Sequence, residues 1–229
     1  MKTKKVFFTE LAYVLGMVIL AVGTAFMEKA NLGMSMVVAP AYLLHLKISQ
    51  FFPAFTFGMA EYVFQAFLLI ALCIILRKAK LSYLFSFVTA VLYGFTLDLA
   101  MLLIRPLAAE GLALRIAFYL FGMVLGSIGV ALFFHTYIAP EAYELFVKEL
   151  SAKYGWRIDR VKTVYDLCSC LLAVILSFAF FGLWHFEGVK LGTVFCALIN
   201  GFMIGLFNKM LEAIFEFKDA FRLRGLFDR

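Results

Sequence analysis

Residues 82–104 read Ser82-Tyr83-Leu84-Phe85-Ser86-Phe87-Val88-Thr89-Ala90-Val91-Leu92-Tyr93-Gly94-Phe95-Thr96-Leu97-Asp98-Leu99-Ala100-Met101-Leu102-Leu103-Ile104, with a single charged side chain, Asp98. A helix rises 1.5 Å per residue, so a run of this length covers the roughly 30 Å of bilayer hydrocarbon. Five further runs approach that length, at 8–28, 57–76, 115–135, 163–184 and 190–214. Two shorter stretches, 33–47 and 139–151, are too brief to cross. The first is apolar with Pro40 in its middle, and the second has Pro140 ahead of an amphipathic pattern. Half-helices and helices lying at the surface both fit them.

The totals agree with the runs. Of 229 residues 65% are hydrophobic and 16% charged, and the mean hydropathy is +0.97. Soluble domains are about 45–50% apolar. The expected fold class is therefore an all-α polytopic membrane protein, with residues 1–229 as one membrane domain and 215–229 as a basic cytoplasmic tail. The run after Lys2, Lys4 and Lys5 has the look of a signal peptide, but from Leu11 onward it is long enough to span and is expected to stay as the first helix.

Charge placement orients the spans. Lys2, Lys4 and Lys5 form one basic group, and Arg77, Lys78 and Lys80 join the second and third spans. Lys153, Arg157, Arg160 and Lys162 precede the fifth span, and Lys218, Arg222, Arg224 and Arg229 form the tail. Six crossings put all four groups on one side, as the positive-inside bias requires. Lys29, Lys47, Arg105, Arg115 and Lys190 fall on the other side. Both termini are expected in the cytoplasm, with the chain in the cell (inner) membrane. The net charge of +6 arises from these loops, so nucleic acid is not an expected partner; the lipid bilayer is.

The halves are alike. Sliding the first span onto the fourth sets Tyr13, Gly16, Met17, Val18, Gly23 and Ala25 on Tyr119, Gly122, Met123, Val124, Gly129 and Ala131. The third span onto the sixth sets Leu84, Ala90, Gly94, Phe95 and Leu99 on Leu191, Ala197, Gly201, Phe202 and Leu206. Each half holds three crossings, an odd number, so the second (115–214) is inverted relative to the first (8–104). Chance likeness between apolar helices is the alternative, opposed by the shared order of span, short helix, span, span.

Polar residues inside these runs are the candidate site. Ser82, Ser86, Thr89, Tyr93 and Thr96 recur at alternating spacings of four and three and share a helical face, and Asn200 takes the place of Tyr93 in the sixth span. Packing through hydroxyl groups competes with cavity lining as their role. Glu61 lies one turn before Gln65. Asp166 corresponds to Gln65 in the other half, and Asp98 lies beyond the centre of its span. An ionisable group in a span is a functional candidate by default, with a wetted interfacial carboxylate as the plainer reading. Asn31 or Ser35 could cap the first short helix. Thr136 with Pro140 could open the second, which places Glu141 among the candidates. His135 could approach Glu141 and Asp166. No Cys/His/Asp set among His45, His135, His185 and the four cysteines has metal-ligand spacing, so neither metal nor cofactor is expected. Cys73, Cys168, Cys170 and Cys196 lie in apolar runs, as free thiols do.

Three segments bear a resemblance to a family. Ala30-Asn31-Leu32-Gly33-Met34-Ser35 with Ala39-Pro40-Ala41-Tyr42-Leu43-Leu44, Tyr93-Gly94-Phe95-Thr96-Leu97-Asp98, and Val161-Lys162-Thr163-Val164-Tyr165-Asp166 resemble motifs of YczE/YitT-like bacterial membrane proteins. The chain departs from that pattern at Met34-Ser35-Met36, which lacks a proline often found after the serine, and at Lys190-Leu191-Gly192-Thr193. The resemblance implies a multi-pass inner-membrane protein of unassigned biochemistry. The expected function is secondary transport of an unidentified small polar or charged solute, without enzymatic activity. The alternative is a membrane scaffold or regulatory partner that transports nothing.

Overall fold

The computed structural model describes residues 4–183, 186–221 and 224; Lys2, His185, Arg222 and Arg229, named above, lie outside them. Eight helices follow a short strand β1 (Lys5–Phe8): α1 (Thr9–Ala30), α2 (Ala39–Ile48), α3 (Phe57–Leu76), α4 (Leu81–Ile104), α5 (Leu112–Phe133), α6 (Ala142–Tyr154), α7 (Ile158–Phe181) and α8 (Leu191–Ile214), before strand β2 (Phe215–Lys218). All but α2 and α6 are long and apolar enough to cross a membrane. The chain is a multi-pass helical membrane protein.

Local chemistry explains where these helices stop and start. Thr56 opens α3 by accepting the Met59 N–H at 3.1 Å. Asn31 and Arg77 close α1 and α3 in the left-handed conformation, which asparagine tolerates better than most residues. Gly155 closes α6 in the same way, with φ of 66°.

At the centre α1 packs along α5, its most extensive partner. Small residues permit this: a Cβ on Gly23 would stand 2.7 Å from the Gly122 carbonyl oxygen, and one on Gly129 would stand 2.8 Å from that of Gly16. Such contacts stand in for the hydrophobic drive that lipid removes. α4 flanks α1 and α8 flanks α5, while α3 packs broadly on α4. α7 has no comparable interface with α8, whose outer faces carry Leu191, Leu198 and Phe202 exposed.

The short helices are half-helices that start inside the bundle. The segment after α5 turns inward, and Ser86 and Thr89 of α4 hold its last carbonyls, those of Pro140 at 2.6 Å and Ala139 at 2.9 Å. Thr89 lies about 12 Å along α4 from its first residue at helical rise, well below the membrane surface. From there α6 runs out to the end where Lys153 reaches the Ile75 carbonyl. On the other side Met36 and Val37 are buried against Tyr143, Val147 and Tyr165 before α2 begins. Pro40 therefore stands in the first turn of α2 rather than in mid-helix. The stretch ahead of it is apolar because it is buried, not because it is helical.

The chain ends meet. β1 and β2 pair in parallel, with Lys5 opposite Phe215 and Phe8 opposite Lys218. Glu10 accepts the Ala220 and Phe221 N–H groups at 2.9 and 3.0 Å. Residues 5–8 and 215–218 thus lie side by side at one end of the bundle. At the other end Lys29 reaches the Arg105 carbonyl, Arg115 those of Ala30 and Asn31, and Lys190 the Asn31 side chain.

Candidate binding site at the centre of the bundle

Where the two half-helices start, a cavity of about 100 Å³ remains. Its polar lining comes from both halves: Thr24, Ser35 and Tyr93 from one, Glu141, Glu144, Lys162 and Asn200 from the other. Met27, Val37, Met123 and Phe133 supply apolar wall. The volume suits several waters or a small polar molecule.

Tyr93 and Asn200 both line this cavity. Tyr93 is buried, and its hydroxyl lies 3.0 Å from that of Thr24 on α1. Asn200 accepts from the Ser127 hydroxyl of α5 at 3.1 Å. Each is thus steadied by a hydroxyl on the first span of its own half. Ser35 lies at the rim and reaches Cys196.

Beside the cavity lies a buried polar knot. Gln65 of α3 accepts the Ala142 N–H at 3.0 Å, the first helical amide of α6. Its NH₂ group faces Glu141 Oε2 at 3.1 Å and Glu61 Oε2 at 3.5 Å. Tyr143 donates to the same Glu61 oxygen at 2.7 Å. Glu61 and Gln65 are fully buried and Glu141 nearly so, and one oxygen on each glutamate, Oε1, has no hydrogen-bond partner. Burial, with Glu144 and Glu61 as like-charged neighbours, holds the Glu141 carboxyl well above the usual carboxylate range. Burial also raises Glu144, which Lys162 partly offsets.

Other expected residues are placed differently. Thr89 serves packing, taking up the Ala139 carbonyl and the Tyr13 hydroxyl at 2.8 Å. Thr96 bonds back to the Leu92 carbonyl of its own helix. Asn31 does not cap α2: it closes α1 at the far end and binds Lys190. Ser35 is not the N-cap either, since Val38 holds that position and makes no side-chain cap bond. Thr136 forms a local turn with the Ile138 N–H, and Glu141 occupies the N-cap of α6. His135 is not near Glu141 or Asp166; it stacks on Phe217 at 3.9 Å, where the chain ends meet. The four cysteines are free.

Asp166 pairs with Lys162 at 2.8 Å, one turn apart on α7, so it borders the cavity through its lysine. Asp98 does not line the cavity. It accepts the Thr56 hydroxyl at 2.6 Å and the Gly58 N–H at 2.8 Å, closing the start of α3 beside an outer cleft that Glu28, Tyr42 and Glu187 also line. Asp98→Asn keeps one acceptor for these donors, so we expect it to lower stability by about 1 kcal/mol, read by thermal unfolding, with binding at the central cavity unchanged.

Residues 7–209 match the model of a family of unknown function, DUF6198. The chain belongs to that family. The matched segment spans both half-helices and every residue of the central site. No curated protein and no solved structure matches the chain.

Glu144, Tyr143 and Lys162 were not singled out from sequence as site residues. Their signal was present but misleading: on an amphipathic stretch with Lys148, Glu149 and Lys153, such charges read as a wetted face. Glu149 does lie toward the outer end of α6, where it pairs at 2.7 Å with Lys80 at the start of α4.

Proposed function

We propose that this DUF6198 member is a secondary transporter that carries a small polar or charged solute through the central cavity. The observation that carries the reading is the cavity itself, closed in by both halves where the half-helix starts meet. A half-helix start presents the positive end of its dipole to whatever lies there, and at α6 the first N–H, that of Ala142, is already held by Gln65. Glu141, Glu144 and Lys162 offer both signs of charge around the space, with Tyr93 and Asn200 as neutral partners.

Two inverted repeats, α1–α4 and α5–α8, support alternating access. Gly16 meets Gly129 and Gly23 meets Gly122, so each of the two α1 glycines faces the counterpart of the other, as a two-fold axis between α1 and α5 would have it. Tyr13 reaches Thr89 of α4, and Tyr119 reaches the corresponding Cys196 of α8. α2 packs on α3 and α7, and α6 packs on α7 and α3. The resemblance to YczE/YitT-like proteins fits the same architecture. The loop charges place both termini in the cytoplasm, at the cell membrane. On this reading the protein is no enzyme.

A thermal-shift screen of small polar solutes on purified protein finds the ligand, and uptake into proteoliposomes measures transport. Asn200→Leu, which removes a polar wall group at similar volume, is expected to lower uptake at least about tenfold, an effect near 1.4 kcal/mol, while the protein still folds. Wild-type uptake in that variant would displace the cavity as the solute site.

A further inference from the structure

Glu61 and Glu141 come from opposite halves, yet both accept from one nitrogen, Gln65 Nε2. Among the described residues neither carboxylate has a cationic hydrogen-bond partner; Lys162, the closest candidate along the cavity wall, is paired with Asp166. Two ionised carboxylates so placed, out of water and unneutralised, would be too costly to keep. Something positive must join them. A metal ion would need oxygen atoms around it, but Gln65 cannot turn its oxygen toward the pair. That oxygen is committed to the Ala142 N–H, and the NH₂ group therefore stands where a cation would sit. A proton has no such difficulty, because the partnerless Oε1 of either glutamate can carry it. Glu141 also lines the cavity, so its proton has a route out.

We infer that Glu61 and Glu141 together hold one proton, which Glu141 exchanges with the central cavity, and that this pair is the proton-coupling site of the transporter. The coupling role rests on the transport reading above, whereas the shared proton does not. Exchange is a simple transfer: the Glu141 O–H bond breaks, the proton passes to water or solute in the cavity, and a carboxylate remains. The groups that face the pair set its balance. Tyr143 from α6 stabilises charge on Glu61, Glu144 opposes charge on Glu141, and Lys162 of α7 offsets Glu144. Asp166 and Tyr165 of α7, Tyr93 of α4 and Tyr13 of α1 complete the surroundings.

The sign for stability follows. A carboxyl held above its ordinary value of 4.5 stabilises the fold fully below that value, and the contribution is lost as pH rises through the native one. The unfolding midpoint of wild-type protein should fall over that rise, and Glu141→Gln should flatten it. The direct test is infrared difference spectroscopy on solute-free protein titrated between about pH 5 and pH 9. Wild type should show a protonated-carboxyl C=O band that disappears on deprotonation, and Glu61→Gln and Glu141→Gln should each move it to lower pH by about one unit or more. Tyr143→Phe, which deletes a donor to Glu61, should move it the other way and serves where a glutamine variant does not fold. A wild-type spectrum with no titrating carboxyl band overturns the inference. So does a band unmoved by all three variants, or one displaced by sodium at constant pH. A pH gradient that drives no uptake while the band behaves as expected would remove the coupling role and leave the proton site standing.

Discussion

Gly58→Val is expected to prevent stable assembly of the bundle. A Cβ at position 58 would collide with the carbonyl of Gly94 and stand 2.7 Å from the carboxyl carbon of Asp98. Neither neighbour can yield: one is helix backbone, and the other holds the Gly58 N–H itself and the Thr56 hydroxyl. The helices must separate, which loosens the α3–α4 interface along its length and removes the Asp98 cap together. Overpacking of a core typically costs about 1–3 kcal/mol, and a backbone clash with loss of a charged cap should exceed the top of that range. Purified yield and unfolding midpoint are the measurements. Gly201→Val and Gly205→Val on α8 are the controls, since nothing stands within 4 Å of a Cβ at either position, and they should change stability by no more than about 0.5 kcal/mol. Equal loss in all three variants would show that valine harms these helices for reasons unrelated to the contact.

The spans were legible because lipid imposes a length and an apolarity that few other environments demand. Five helices start or end within a few residues of their apolar runs. α7 begins earlier, at Ile158, because its first turn carries charge and lies at the bundle's end, where hydropathy no longer reports helix. The starts of the half-helices were not legible. Met36 and Val37 are as apolar as a helix core, and only the tertiary contacts to Tyr143 and Tyr165 make them a buried connection. The terminal strands escaped notice for a related reason. Four-residue strands carry too little alternation to read, and their pairing joins opposite ends of the chain.

Within the site, what lay on one helix was readable and what required the chain to turn back was not. Glu61 and Gln65 share a face of α3 by spacing alone. Their union with Glu141 depends on the inward turn after α5, anchored by Ser86 and Thr89. From spacing alone those two hydroxyls fit packing and cavity lining equally, and the structure makes them the anchors. Asp98 illustrates the converse hazard. A carboxylate in an apolar run marks an unmet need for charge, and that need can be a helix start as readily as a solute.

Gln65→Leu tests whether the knot holds the half-helix in place. Leucine nearly matches the volume of glutamine, so packing is kept while every hydrogen bond is lost. The Ala142 N–H, Glu141 Oε2 and one bond to Glu61 lose their partner at once, deep in the bundle. A buried group left unsatisfied costs about 1–3 kcal/mol, so the three together should cost roughly 3 kcal/mol or more. The loss should be local first, because α6 is held mainly through its start: protease cleavage within 134–154 should rise before the six spans unfold. Removing the orphaned partners as well makes the test specific. Glu61→Leu, Gln65→Leu and Glu141→Leu combined leave only the Ala142 N–H and the Tyr143 hydroxyl without acceptors, so the triple variant should be more stable than Gln65→Leu alone. That order is the opposite of what accumulated core damage would give. A triple variant less stable than the single one would mean that the glutamates stabilise the fold by themselves, and that Gln65 is not the residue joining the two halves.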